Sequence, residues 1–174
     1  MSGASTVRRI RMTLLEWMII RAVPMLNHIQ PRARWEHSLD ELRYFPDHSW
    51  GAALAGFLDT RHFADFLTNY ETHDAFHALL NYDTNVVGEL RLQAFMVGNR
   101  SASFAGHVLF VLGCLLLPEL WPQIQRDFTR GRQSACVGSW DVPSLLDQVI
   151  EHLQAGIAKR IDLPPLSQSA NKNV

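Results

Sequence analysis

The chain has 174 residues, 47% hydrophobic and 19% charged, with a formal net charge of −1. That length fits one domain and that apolar content supports a sizeable core, while the near-neutral balance argues against a general nucleic-acid binder, which would show a basic face and a high pI. Two cysteines, Cys114 and Cys136, are too few for a disulfide framework; they have no metal-type partner at close spacing and fit a reducing compartment.

The start, Val7-Arg8-Arg9-Ile10-Arg11-Met12, is basic, and the apolar stretch after it carries Glu16 and Arg21. It lacks the clean cleavage site of a secretory signal, although an Arg-rich, acid-poor start also has the form of a transit peptide. Leu14, Leu15, Met18, Ile19 and Ala22 recur at the one-face spacing of an amphipathic helix, which Pro24 limits. Such a basic helix suits an anionic membrane surface or a docking site on the bundle. Residues 27–48, with Pro31 and Pro46, read as loop with a short helix. Helices are expected at 50–58, 70–80, 85–99 and 102–116, with a turn or two at 61–69. The run 101–117 is the most apolar, but it is short for a membrane span and contains His107, so a central buried helix containing Cys114 is expected. Pro118 should sit in the first turn of a helix ending near Gly131. A last helix should start near Pro143 and bury Leu145, Leu146, Val149, Ile150 and Leu153. From Asp162 onward, Pro, Ser, Gln and Asn give a disordered composition. With no strand alternation, repeat, phosphate loop or nucleotide fingerprint, the expectation is an all-α, single-domain helical bundle over 1–161, with short connections between antiparallel neighbours and a tail at 162–174.

The informative stretch is His73-Asp74-Ala75-Phe76-His77, then eleven residues, then Glu89. On a helix, His73 and His77 are about 40° apart and Asp74 about 60° beyond His77, so the three heads can converge. Asn81-Tyr82-Asp83-Thr84 is a turn-favouring break. An antiparallel hairpin there would fold Glu89 back beside 76 and 77. Phe76 and Leu80 share the face of His73, and Leu92 and Met96 that of Glu89, so these heads should enter apolar surroundings, where a cation resolves the cost of two carboxylates. Two imidazoles and two carboxylates suit zinc, iron or manganese better than Mg²⁺ or Ca²⁺. A lone His-x-x-x-His is common and usually silent; a hydrogen-bonded cluster in which Asp74 orients a His is the structural alternative.

His-Asp-x-x-His, eleven residues and Glu resembles the zinc motif of the ubiquinone (coenzyme Q) biosynthesis protein 4 family, matched at His73, Asp74, His77 and Glu89. Tyr82-x-Thr84-x-x-x-Gly88-Glu89, Phe45-Pro46-x-x-Ser49-Trp50-Gly51 with Phe57-Leu58-Asp59, and Gly131-Arg132-x-x-Ala135-Cys136 with Trp140 are similar to further family stretches. The likeness covers residues 45–155. Asp59 and His73 are closer together than is usual in the family, Gln133-Ser134 replaces a more basic or Pro-containing stretch, and the N-terminal third has little to match. The resemblance implies a helical protein peripheral to a membrane that acts on a polyprenylated aromatic ring. The implied chemistry is a metal-dependent, oxidative removal of the carboxylate at ring carbon 1 with installation of a hydroxyl, that is, a carboxy-lyase of a 4-hydroxy-3-methoxy-5-polyprenylbenzoate-type substrate. Implied partners are a prenylated quinone precursor, a membrane surface (cytoplasmic side of a bacterial inner membrane, or mitochondrial matrix side) and other quinone-biosynthesis proteins; a homodimer is a further expectation, and nucleic acid is not a partner. Leu92, Phe95, Phe104 and Phe110 are candidates to line an isoprenoid slot, against the plainer reading of ordinary core.

Two rival functions remain open. One is a prenyl-lipid-binding scaffold that organises a biosynthetic complex around a structural metal. The other is a metal-dependent phosphohydrolase using His48, His73-Asp74 and Asp127 or Asp141, which leaves His77 and Glu89 unexplained.

Overall fold

Apolar faces at helical spacing and well-formed caps produce an all-α architecture. This computed structural model describes residues 2–28, 35–62 and 70–158, which form eight α-helices and two 3-10 turns. The helices are α1 (Ser2–His28), α2 (Leu39–Leu42), α3 (Trp50–Asp59), α4 (Glu71–Leu80), α5 (Val86–Gly98), α6 (Phe104–Leu116), α7 (Trp121–Gln133) and α8 (Ile150–Ala158). Side-chain oxygens of Ser38, Ser49, Asn85 and Ser103 accept from the first turns of α2, α3, α5 and α6, satisfying donors that helix geometry orphans.

Two apolar clusters meet at α5. Trp50, Leu54, Leu58, Phe76, Leu79 and Leu146 pack against its Leu92 and Phe95. Leu15, Leu109, Leu117 and Ile124 pack against its Leu90 and Ala94. The central helix is therefore α5, not the more apolar α6. One side of α6 is buried through Ala105, Leu109 and Gly113, while Phe104, Val111 and Leu115 stand exposed and Cys114 is only half-buried. Hydropathy alone does not identify which helix has neighbours on every side.

The backbones of α5 and α7 touch. A β-carbon on Gly98 would overlap the carbonyl oxygen of Phe128, and one on Gly131 would overlap that of Phe95. Gly131 thus serves close approach rather than ending its helix, which continues to Gln133. Asn99, 4% exposed, locks the exit: its amide donates to the carbonyls of Gly131 (3.1 Å) and Ala135 (2.7 Å), and its oxygen accepts from the Val137 N–H at 2.9 Å.

Other expectations shift. α1 runs past Pro24 to His28, since a proline near a helix end forfeits one hydrogen bond without detaching the final turn. On α1, Leu15 is buried with Met12 and Ile19 against it, and Leu14 is exposed. Pro143 lies in a 3-10 turn at Val142–Leu145, and the helix begins only at Ile150. The reason is that 146–149 are tied to the start of α3: Trp50 and Gly51 N–H groups bond the carbonyls of Gln148 (2.8 Å) and Leu146 (2.7 Å), and Val149 bridges Ser49 and stays exposed. α4 and α5 are not a closely packed antiparallel pair; α5 lies chiefly along α6 and α7, and α4 along α3. The turn expected at 61–69 lies largely, and the tail from 162 wholly, outside the described residues.

Gly131→Ala is expected to lower stability by about 1–3 kcal/mol, the cost of overpacking a contact whose neighbour is rigid backbone. Calorimetry checks this as a Tm drop of several degrees; an unchanged Tm would mean that α5 and α7 part freely.

Candidate metal centre

α4 carries His73 and His77 one turn apart, and Asn81 ends it with a left-handed residue, φ 58°, the common way to close a helix. That reversal delivers the Tyr82 carbonyl to His77 Nδ1 at 3.0 Å. α5 begins with the Asn85 cap and presents Glu89 in its first turn. Gly88 is required beside it, because a β-carbon there would overlap the Asp83 backbone.

The three heads converge. His77 Nε2 lies 3.0 Å from His73 Nε2 and 3.0 Å from Glu89 Oε1. His73 Nε2 is 3.3 Å from Glu89 Oε1 and 3.2 Å from Oε2. The side chain of His77 is 0% exposed, that of Glu89 13% and that of His73 24%. His73, His77 and Glu89 form the one group of potential metal ligands found among the described residues, every ligand atom within 4.8 Å of the others.

Proton bookkeeping shows what such a group needs. A carbonyl only accepts, so the proton of a neutral His77 ring is on Nδ1, facing Tyr82, and Nε2 presents a lone pair. That lone pair faces a carboxylate oxygen, which also only accepts, and a second imidazole nitrogen. One added proton satisfies one of these pairs; a single cation satisfies all three. Atoms about 3 Å apart can share an ion bound at roughly 2.0–2.2 Å from each, and N and O donors of this kind suit zinc, iron or manganese. The donor set fits a divalent metal.

Electrostatics agree. Burial would raise the Glu89 pKa, but when the His73 and His77 rings are protonated, and only then can Nε2 of His77 donate, their positive charge and hydrogen bonds outweigh it and hold the carboxyl below its ordinary range. Positive charge at this point, from protons or from an ion, is what keeps Glu89 ionised. Asp74 behaves oppositely. Burial pushes its pKa up to about 6, His73 and His77 oppose the shift, and Glu89 and Glu71 add to it. Asp74 thus sits beside the three-residue group and outside its close ligand set.

Neighbouring residues fix the rings. Phe57 stacks on His77 with centroids 6.1 Å apart, and Tyr70 meets His73 edge-on at 6.1 Å. The Trp50 indole donates to the Ala75 carbonyl at 3.0 Å, tying α3 to α4. Tyr82 is itself held: its hydroxyl donates to Asp127 (2.9 Å) and accepts from Arg130 (3.1 Å), while Arg91 bonds Asp127 at 2.7 Å. The orienting role of Tyr82 was not legible from its place in a motif, because a backbone carbonyl does the work and any residue type supplies one.

A pocket of about 290 Å³ borders His73, with Phe76, Leu92, Gln93, Met96 and Trp140 among its walls. Of the four apolar residues expected to line one slot, Leu92 borders this pocket. Phe95 is 0% exposed in the core, Phe104 is exposed and Phe110 stacks on Phe128 in the second cluster. The four lie on different faces of α5 and α6 and do not line a common slot. The phosphohydrolase set does not assemble either: His48 is exposed, Asp127 is committed to Arg91 and Tyr82, and Asp141 is exposed.

No protein-family model matches the chain, and no curated protein matches it. Among solved structures, a candidate ubiquinone biosynthesis protein from Nostoc punctiforme PCC 73102 superposes with a TM-score of 0.59 at 20% identity, over 88% of this chain and 81% of that one. The two chains share a fold. At that identity the likeness is one of architecture.

The Asp74 pKa gives a signed prediction for the metal-free protein. Its folded value lies above the ordinary carboxylate value of 3.8, so ionised Asp74 destabilises the fold above about pH 6, and the penalty fades as pH falls towards 4. Metal-free Asp74→Asn should therefore exceed metal-free wild type at pH 7 by roughly 1–2 kcal/mol after discounting for solvent screening, and match it near pH 4. Thermal melts at both pH values decide it; an equal Tm at pH 7 refutes the buried-carboxylate account.

Proposed function

We propose that this chain binds one divalent ion through His73, His77 and Glu89, with Asp74 alongside, and acts on a polyprenylated aromatic ring in ubiquinone biosynthesis, removing the carboxylate of ring carbon 1 and installing a hydroxyl. The observation that carries the reading is the convergence of a buried imidazole lone pair, a second imidazole and a carboxylate on one point. The motif resemblance and the fold shared with a candidate ubiquinone biosynthesis protein support it.

A bound divalent ion supplies positive charge that holds a ring carboxylate or phenolate and steadies charge as carbon dioxide leaves. The chain supplies the rest. Tyr82 and Phe57 fix the His77 ring, and α5 holds Glu89. Asp74, with its pKa near 6, can hold or release a proton close to neutral pH. Replacing a ring carboxyl by hydroxyl, with water as the oxygen source, yields carbon dioxide, two protons and two electrons. His and Glu side chains do not accept electrons, so the reading requires an acceptor such as dioxygen, a redox-active ion or a partner protein. The pocket beside the more exposed His73 favours chemistry over a closed structural metal or pure scaffold, because a reactant can reach the cluster from that side.

Membrane association belongs to the same proposal. Val7, Ile10, Trp17 and Ile20 on α1, Val111 and Leu115 on α6, and Trp121 are all more than half exposed. No single helix among the described residues is long and apolar enough to cross a membrane. Association with an anionic lipid surface and with other quinone-biosynthesis proteins follows the same reading, as does a homodimer.

Elemental analysis tests the centre. Wild type should hold about one equivalent of metal and Glu89→Ala far less, in line with the 10–100-fold affinity losses seen for changes even beyond the ligands; full retention would remove Glu89 from the site. Metal-loaded wild type should turn over a prenylated 4-hydroxybenzoate supplied with an electron acceptor, and binding of that substrate without product would favour the scaffold.

Co-sedimentation with phosphatidylglycerol vesicles tests the surface. Trp17→Glu and Leu115→Glu should each reduce the bound fraction several-fold. Unchanged binding in both would dismiss these faces as the contact.

A further inference from the structure

The pocket beside His73 is lined by a polar side chain that no other protein group pairs with. Gln93 is 7% exposed and has no hydrogen-bond partner among the described residues, although its amide carries both donors and acceptor. Nearby polar side chains are engaged: Ser101 Oγ donates to Asn99, Ser103 Oγ caps the Gly106 N–H, and Thr72 receives the Trp35 indole. The amide atoms of Gln93 are not sealed in the core, where Arg11 Nε is the buried side-chain atom without a partner among the described residues; they open onto the pocket that Gln93 lines, free to meet whatever occupies it.

Its setting identifies what would satisfy it. Gln93 follows Glu89 by four residues, about one turn of α5, so the two share a face about 6 Å apart along the axis, a span comparable to an aromatic ring with its substituent. The pocket, about 290 Å³, has aromatic and apolar walls in Phe76, Trp140, Leu92 and Met96, and neither Lys nor Arg lines it. That volume is at the small end for ligand pockets, with room for one substituted ring and not for a long isoprenoid chain. The N-terminus of α6 also faces this region through Ser103, and its first N–H groups and dipole favour an oxygen. Gly106 makes the space: a β-carbon there would overlap Gln93 Oε1, so glycine lets the carboxamide lie on the first turn of α6.

We propose that this pocket is a subsite for a single aromatic ring bearing neutral oxygen substituents, and that Gln93 fixes the orientation of the ring by hydrogen bonding a hydroxyl or methoxy group on the side away from His73. The inference rests on the metal reading only for which end of the ring faces the cluster. Any prenyl chain on the ring leaves this pocket rather than filling it.

The test is calorimetric titration of 4-hydroxy-3-methoxybenzoate and of unsubstituted benzoate into wild type, Gln93→Met, Gln93→Leu and Gly106→Ala, each with and without zinc. Wild type should prefer the oxygenated acid by up to about tenfold, the scale of one net hydrogen bond. Both Gln93 variants should lose that preference while keeping benzoate affinity within about twofold and zinc content unchanged, and Gly106→Ala, which crowds the carboxamide, should reduce it. Because Gln93 is not a ligand of the cluster, the preference should appear with or without zinc. A preference that survives in both Gln93 variants, equal weakening of both acids, or no binding of either acid to wild type overturns the subsite. Wild type that takes up no zinc yet keeps a Gln93-dependent preference overturns the metal reading and leaves the subsite standing.

Discussion

The interaction on which the site depends is the 3.0 Å hydrogen bond between His77 Nδ1 and the Tyr82 carbonyl. It decides which ring nitrogen carries the proton. With that proton committed, Nε2 has only a lone pair to offer, and it lies within 3.0 Å of both Glu89 and His73. Without it, the ring could donate through Nε2 to the Glu89 carboxylate and the cluster would be an ordinary charge-assisted hydrogen-bond network. A net contribution of about 1 kcal/mol is typical of such a bond, yet its consequence is larger, because it leaves acceptors opposed in a buried space where an unpaired carboxylate costs several kcal/mol.

Geometry far from the cluster enforces that bond. The left-handed Asn81 turns the chain, and the Tyr82 hydroxyl is pinned to Asp127 and Arg130 on α7. α7 is held against α5 by the paired glycines at 98 and 131. The helix that presents Glu89 and the residue that orients His77 are thus referred to the same backbone contact. This explains how α4 and α5 can meet at the cluster without packing along their length: both are positioned by third parties, α4 by α3 through Trp50 and α5 by α7.

The two levels of structure were unequally legible in the sequence. The 3.6-residue periodicity and the breaks at 81–84 and 100–101 revealed all-α architecture and most helix positions, because those signals are local. The spacing of His73, His77 and Glu89 picked out a group that does converge, since two histidines one turn apart need no tertiary information. What failed was nonlocal. Gly131 looked like a helix stop, but its role is set by a helix more than thirty residues earlier. Pro143 looked like a helix start, but it opens a short 3-10 turn, and the residues that follow are tied by backbone hydrogen bonds to the start of α3. The apolar run at 101–117 looked central, but burial depends on how many neighbours surround a helix. Asp74 shares a helical sector with the histidines, yet its carboxylate stays outside the close group, a distinction that sector arithmetic cannot make.

That placement of Asp74 has a chemical consequence for the group as a whole. A carboxylate among the close ligands would be ionised whenever a cation was bound and would add little beyond charge. Beside them, with burial holding its pKa near 6 and Glu89 adding to the shift, it is neutral more often when the cluster is empty, and a cation next to it would draw the proton off. Binding an ion and releasing a proton would then be coupled through a residue that need not touch the ion. By linkage, affinity rises with pH across that range and the proton can return when charge at the centre falls. A group whose charge is to respond to occupancy of the centre is better placed next to the ligands than among them, and burial is the physical cause that brings the Asp74 pKa close enough to neutral for that response.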